Sequence, residues 1–199
     1  MLSPNILALG EKMADKKITA LTSIGTATAR ADLLHLIDDV AGTPTNKKVT
    51  IGEYANALMA PVTLSDSATH TLTEAAHAGR LIIGTDQGQT STWTLPTPIA
   101  GMSMHFVGPV SAADADETED TNNVVIAAGT GNTIYFKGRL TFLDIDGNAN
   151  SIVGSDNNSN ENITIITAGH YDITLVGVSA TVWMVSGYVA SDTVPTFTD

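Results

Sequence analysis

Apolar and polar residues alternate most regularly towards the end of the chain, between residues 162 and 190. Polar residues such as Asp172 and Thr174 separate the apolar ones in the first part, and a break falls at residues 177–179. The alternating apolar residues are Tyr171, Ile173, Leu175, Trp183 and Val185. A period of two in residues rich in Val, Ile, Thr and aromatics is typical of β-strands that bury at least one face. The stretch therefore predicts three short strands in succession.

Shorter segments with the same alternation recur from residue 70 onward. They predict strands at 70–73, 80–85, 90–95, 102–107, 123–127, 133–136, 139–144 and 151–153. Turn-forming residues separate these segments at short intervals, which favours an antiparallel sandwich or jelly roll over a parallel sheet. We predict a mainly β protein with an antiparallel β-sandwich or jelly-roll-like domain. A small N-terminal arm with short strands and a short helix precedes that domain.

The arm has a different pattern from the rest of the chain. It predicts a strand at 32–39, a turn at 42–48, a brief strand directly after the turn and a short helix at 52–59. Residues 61–69 are rich in Ser and Thr and indicate the boundary between the two parts. The predicted domains are a docking arm at 1–60 and an acidic β-sandwich at 61–199.

The charge of the chain divides at the same place. Residues 1–60 hold six basic and six acidic residues, whereas residues 61–199 hold three basic and fifteen acidic residues. The second part therefore accounts for the whole net charge of −12. Because an acidic domain repels the phosphate backbone, we expect no nucleic-acid partner. The split indicates a neutral segment that docks and an acidic domain that faces solvent.

The sequence lacks the features of secreted, disulfide-bonded and membrane proteins. It contains no cysteine, so that neither disulfides nor thiolate metal sites can form. No apolar run approaches the roughly 18 residues of a membrane span. No basic start leads into an apolar run as in a secretory signal. We expect a protein made in the cytoplasm without a membrane partner.

The segment from Asp144 to Asn150 resembles a calcium-binding loop. The EF-hand loop requires Gly at its sixth position and Glu at its twelfth. Here Gly147 lies at the fourth position, and Ala149 and Ser155 occupy the sixth and twelfth. A hairpin turn is the favoured interpretation, and calcium bound between subunits is the alternative.

Two further sets of residues carry titratable groups without a spacing that predicts chemistry. One is a run of carboxylates, which we interpret as a solvated loop: Asp114, Asp116, Glu117, Glu119 and Asp120. The other is the set of histidines, none of which has the i, i+4 spacing of a helical zinc pair: His35, His70, His77, His105 and His170. The sequence predicts no catalytic residue, no cofactor and no metal, and we expect that the protein is not an enzyme.

Two stretches resemble proteins of tailed-bacteriophage virions. The first is similar to an N-terminal module of such proteins and reads KKITALTSIGTATARADLLHLIDDVAGTPTNKKVTIGEYANAL. The second is similar to phage β proteins and reads HTLTEAAHAGRLIIGTDQGQTSTWTLPTPIAGMSMHFV, with the later ending ITLVGVSATVWMVSGYVASD. The family includes head decoration (cement) proteins, head fibres and tail fibres, which are commonly homotrimers.

The resemblance implies a decoration protein that binds the outer surface of the phage head and stabilises the shell as a trimer. Its partners would be the major capsid protein and further copies of itself, and its location would be the virion. Apolar residues and lysines of the arm would dock on the capsid: Lys16, Lys17, Ile18, Leu21, Leu33, Leu34, Leu36, Ile37, Lys47 and Lys48. In the alternative, the apolar residues of this set pack on the protein's own β domain.

Two other functions compete with capsid decoration. A tail- or head-fibre adhesin that binds a host surface receptor is the main alternative, and exposed aromatic side chains in loops would favour it. Trp93, Trp183 and Tyr171 lie in strand patterns, where we expect core positions. A glycan depolymerase would need a fixed pair of carboxylates, which the sequence does not indicate.

Overall fold

The structure is a computed structural model of the chain. It describes residues 33–38, 45–85, 87–108, 122–145, 147 and 149–199. Contacts between residues divide the chain into two compact units, one ending at Tyr54 and one running from Ala55 to Asp199. The division into a docking arm at 1–60 and an acidic domain at 61–199 stays a prediction.

The first unit contains an antiparallel hairpin. Strand β1 (Leu33–Asp38) pairs with β2 (Thr45–Thr50) and places Leu36 opposite Lys47. The predicted strand at 32–39 is confirmed. The predicted turn at 42–48 is wrong in its second half, because Thr45 to Lys48 belong to β2. Pairing with β1 overrides the turn preference of these polar residues.

Helix α1 (Ile51–Met59) follows β2 directly and begins with a capping box. The Glu53 backbone N–H donates to the Thr50 hydroxyl at 3.0 Å, and the Thr50 backbone N–H donates to the Glu53 carboxylate at 2.8 Å. These backbone and side-chain bonds to Thr50 lower the pKa of Glu53. The predicted helix at 52–59 is confirmed.

The second unit holds the remaining strands in two mixed sheets. The seven-stranded sheet consists of β3 (Val62–Leu64), β5 (Leu81–Gly84), β7 (Ser103–Gly108), β9 (Tyr135–Asp144), β10 (Ser151–Gly154), β12 (Ala168–Ser179) and β13 (Val182–Ser191), in the order β10-β9-β13-β12-β7-β5-β3. The five-stranded sheet consists of β4 (Thr69–Thr71), β6 (Ser91–Thr94), β8 (Val124–Ala127), β11 (Asn162–Ile165) and β14 (Thr196–Thr198), in the order β14-β11-β8-β6-β4. The short helix α2 (Glu74–His77) lies between β4 and β5.

The chain alternates between the two sheets from β3 to β8. Strands β3, β5 and β7 therefore run parallel in one sheet, and β4, β6 and β8 run parallel in the other. Strands β9 and β13 are also parallel, and the other neighbours are antiparallel. The predicted mainly β sandwich with a short helix is confirmed, but the purely antiparallel pairing is wrong and the jelly roll is not confirmed. Strand spacing does not reveal whether the next strand pairs with its predecessor or crosses to the other sheet.

Several strand boundaries differ from the prediction. The segments predicted at 133–136 and 139–144 form one strand, β9, which passes through Gly138 at a φ of +115°. The predicted break at 177–179 is a register shift inside β12, which continues to Ser179. Strands β3 and β14 have only three residues each, too few for a period of two to be visible in the sequence.

The inner faces of the two sheets form one core, to which each sheet contributes a fully buried tryptophan. Trp93 of β6 stacks on Phe106 of β7, with ring centroids 5.8 Å apart and planes at 17°. Trp183 of β13 donates its indole N–H to the carbonyl of Ala128, just after β8, at 3.1 Å. Each tryptophan thus reaches the opposite sheet. The predicted core positions of Trp93, Trp183 and Tyr171 are confirmed.

Candidate interaction surface

The seven-stranded sheet turns a broad face away from the core. Its register aligns one outward residue from every strand into a row: Ile152, Thr141, Tyr188, Asp172, Val107, Ile83 and Thr63. Two shorter rows lie beside it, one with Ser186, Thr174, His105 and Leu81, the other with Lys137, Met184, Val176 and Ser103. These residues, together with Arg139 of β9, are named the wide face.

Large apolar side chains occupy much of the wide face. They are Ile152, Tyr188, Val107, Ile83, Leu81, Met184 and Val176. Ile152 is 66% exposed, Met184 42% and Tyr188 39%. Isolated exposed apolar side chains are ordinary on a protein surface, whereas a contiguous group marks an interaction site. The register places these side chains in adjacent rows, and the wide face is therefore a candidate interaction surface.

The charges of the wide face differ from those of the domain that carries it. Lys137 and Arg139 are two of only three basic residues in 61–199. The carboxylate of the wide face, on Asp172, lies 2.7 Å from the imidazole of His105 on the neighbouring strand. The face is thus basic and apolar in a domain of acidic sequence.

The outward face of the five-stranded sheet has a different character. Its two rows are Thr69, Thr92, Val125, Thr164 and Thr196, and Thr71, Thr94, Ala127, Asn162 and Thr198. These residues, named the narrow face, carry seven threonines and no charge. Threonine forms strands readily, since its β-branched side chain suits the pleated surface.

The predicted capsid-docking residues are described only in part. Lys16, Lys17, Ile18 and Leu21 lie outside the described residues. Leu33, Leu34, Leu36 and Ile37 belong to β1, and Lys47 and Lys48 belong to β2, where both lysines are exposed. In the register, Leu36 is opposite Lys47 and His35 is opposite Lys48. The hairpin therefore brings the two groups of the docking set together, and their role in docking stays a prediction.

The segment that resembles a calcium loop is a hairpin turn between β9 and β10. The Asp144 carboxylate accepts backbone N–H groups of Gly147 at 3.0 Å and Ala149 at 2.9 Å. The Asn150 side-chain oxygen accepts the Asp144 backbone N–H at 2.9 Å. The hairpin interpretation is confirmed, and the turn itself uses these oxygens.

A second turn, in the Asn-rich loop, is organised by Asp156. Its carboxylate accepts the backbone N–H groups of Asn158 at 2.8 Å and Ser159 at 3.0 Å. These bonds lower the pKa of Asp156. The Ser159 hydroxyl and the Asn160 amide then donate to the Asp199 carboxylate at 2.8 and 3.2 Å. The loop after β10 thereby holds the residue that follows β14.

The histidines that the structure describes form no metal site. Among the described residues, no group of three or more His, Cys, Asp and Glu side chains could hold a metal ion. His77 ends α2, and burial lowers its pKa, although a backbone hydrogen bond to Thr73 opposes the change. The positive charges of Arg80 and His70 lower the pKa of His77 further. The predicted acidic loop, with Asp114, Asp116, Glu117, Glu119 and Asp120, lies outside the described residues.

Neither the scan of family models nor the search of curated proteins finds a match to this chain. In the described part of the chain, neither helix has the length and apolarity that a membrane crossing needs.

The sequence interpretation missed the wide face as a surface. The alternation did place Met184 opposite Trp183, and the core position of Trp183 therefore implied an outward Met184. The signal that joins Met184 to Lys137 and Val176 is the strand order, because these residues lie on three strands. A single sequence does not contain that order.

Proposed function

We propose that this chain is a bacteriophage virion structural protein that decorates the outer surface of the capsid as a homotrimer. The observation that carries the proposal is the division of the chain into a small N-terminal unit and a second unit that holds the β-sandwich. Lys47 and Lys48 are exposed on the hairpin of the N-terminal unit, whereas the sandwich has an acidic sequence. A protein that joins shell subunits needs one part that docks and another that tolerates solvent.

The resemblance to phage β proteins supports the same proposal. Its strand motifs fall on β4 to β7, on the second half of β12 and on β13. These strands line one core through Trp93, Phe106 and Trp183. The resemblance therefore concerns strands that pack together rather than scattered matches.

The mechanism follows from the number of contacts. Apolar burial between the arm and the shell would contribute about 25 cal/mol per Å². Three arms on one trimer bind with high effective concentration, because the second and third contacts form within one assembly. Bridged capsid subunits separate less readily, and the shell resists the pressure of packaged DNA.

The adhesin remains the alternative function. Exposed aromatic side chains in loops would favour it, but Trp93 and Trp183 are fully buried and Tyr171 is 2% exposed. Among the described residues, no observation favours receptor binding over capsid decoration.

The number of copies per particle tests the location. Quantitative mass spectrometry of purified virions should find hundreds of copies, in a simple ratio to the major capsid protein. A handful of copies would assign the protein to the tail or to a single vertex and would contradict the proposal.

A charge-matched pair of variants tests the docking unit. Lys47→Gln/Lys48→Gln and Thr69→Glu/Thr71→Glu each change the net charge by −2, the first on the hairpin and the second on the narrow face. Binding of the full chain to capsids that lack it should weaken about tenfold for the lysine pair, because six exposed charge contacts per trimer at a few tenths of a kcal/mol add up to that factor. The threonine pair should bind as the wild type does. Equal binding by all three proteins would exclude the lysines from docking.

A further inference from the structure

We infer that the wide face is the surface through which one copy of this chain binds a second copy. The inference deepens the proposed function, since it assigns the contact that builds the trimer. It rests on that function only for the number of copies, and it applies equally to a protein of the head or of the tail.

The size of the wide face is the first argument. Neighbouring strands lie about 4.8 Å apart and alternate residues about 6.7 Å apart, so that each outward position covers roughly 32 Å² of sheet. The three rows, with Arg139, then cover roughly 500 Å², to which side-chain relief adds. Specific interfaces bury at least about 600 Å² per partner, so that the wide face comes close to this lower limit. The narrow face covers roughly 320 Å² on the same basis, which is about half of that lower limit.

The chemistry of the wide face is the second argument. Apolar side chains cross it from Ile152 at one edge, through Tyr188, to Val107 and Ile83 near the other edge. Their burial against another protein surface would be favourable in proportion to the apolar area that is removed from water. Met184 and Tyr188 have side chains of the kinds that are enriched in the centres of interfaces.

Charge identifies the occupant. Copies of a chain with a net charge of −12 repel one another over most of their surface. The wide face is the exception, because it carries Lys137 and Arg139, while its one carboxylate, Asp172, is held by His105. An acidic protein surface is complementary to this face, and every further copy of the chain provides one.

The same charges favour a head-to-tail arrangement. Two wide faces in direct contact would bring the cations of both copies together, whereas contact with another surface of the next copy pairs them with carboxylates. A head-to-tail contact repeats from copy to copy and forms a closed ring when its rotation brings the last copy back to the first. A closed ring of three copies agrees with the trimer of the proposed function.

The mass of the purified full chain in solution tests the inference without any capsid. Sedimentation equilibrium should give a mass that rises with concentration towards three times 20.7 kDa. Met184→Lys/Tyr188→Lys should stay at the mass of one copy, and Thr92→Lys/Thr164→Lys on the narrow face should associate as the wild type does. Circular dichroism establishes that both variants are folded. A wild type that stays monomeric at every concentration overturns the inference, as does dissociation by the narrow-face variant alone.

A labelling experiment gives a second readout that does not depend on disrupting the face. The chain has no cysteine, so that Tyr188→Cys and Thr164→Cys each introduce one thiol. The reaction of maleimide with the thiol of the Tyr188→Cys variant should slow severalfold as the protein concentration rises. The thiol of the Thr164→Cys variant should react at a constant rate. Equal rates at the two positions at all concentrations overturn the inference. Capsid binding is measured in a separate experiment. A chain that does not associate with itself would overturn only this inference, and the lysine variants would still decide whether the hairpin docks on the capsid.

Discussion

The wide face and the narrow face are the outward sides of two sheets that share one core. The wide face presents Met184, Tyr188 and Ile152 with two basic side chains, and the narrow face presents mainly threonine. Threonine and the larger β-branched or aromatic residues form strands about equally well. Strand formation therefore does not account for the difference. Inner positions are restricted by the core, while outer positions respond to what lies outside the sheet.

The largest expected effect tests whether the two inner faces are equivalent. Trp93→Ala and Trp183→Ala should each lower the free energy of unfolding by about 3–5 kcal/mol, because both leave a large cavity in the core. Urea denaturation measures the change, and the remaining tryptophan in each variant reports by fluorescence. Thr164→Ala on the narrow face is the control, with an expected change within about 0.5 kcal/mol. A loss below about 1 kcal/mol for only one tryptophan would show that the sheets do not share the core equally.

A smaller loss of stability is expected from a substitution at Gly84, where side chains of both sheets lie close to the backbone. A Cβ at Gly84 would collide with the Tyr171 hydroxyl and would lie 2.7 Å from the Trp93 ring. Gly84→Ala should therefore lower the free energy of unfolding by about 1–3 kcal/mol through overpacking.

Gly154→Ala is the matched control for Gly84→Ala. Gly154 lies in the edge strand β10, and the nearest atoms to its Cβ would be 3.4 and 3.7 Å away. Its replacement should leave stability nearly unchanged in the same urea titration. Equal losses at the two glycines would mean that Tyr171 and Trp93 do not fill the space between the sheets.

The smallest expected effect concerns the pH dependence of stability and the residue His77, at the end of helix α2 between β4 and β5. Because the pKa of His77 is lower in the folded chain than the usual value near 6.5, the unfolded chain takes up the proton first as the pH falls. The contribution of neutral His77 to stability is present above about pH 6.5. It is lost as the pH falls towards the lower pKa that His77 has in the folded chain. Thermal unfolding from pH 7.5 to pH 5.5 should therefore show a shallower loss of stability for His77→Gln than for the wild type. Parallel curves would assign the pH dependence to other groups.

The sequence by itself determined the kind of structure and the inner residues. A period of two around Trp183 and Trp93 predicts strands with one buried face, since successive side chains of a strand point to opposite sides. Both tryptophans are buried as that period requires. The capping box at Thr50 and Glu53 is equally local, and helix α1 begins where those residues place it.

Only the tertiary structure decided which strands are neighbours and what each outward side presents. The parallel pairs arise because the chain crosses between the sheets after each strand from β3 to β8, and no local pattern encodes that crossing. Met184, Val176 and Lys137 become neighbours through the order of β12, β13 and β9. A strand's own residues determine which side chains face outward, while pairing between distant segments determines which of them form a surface together.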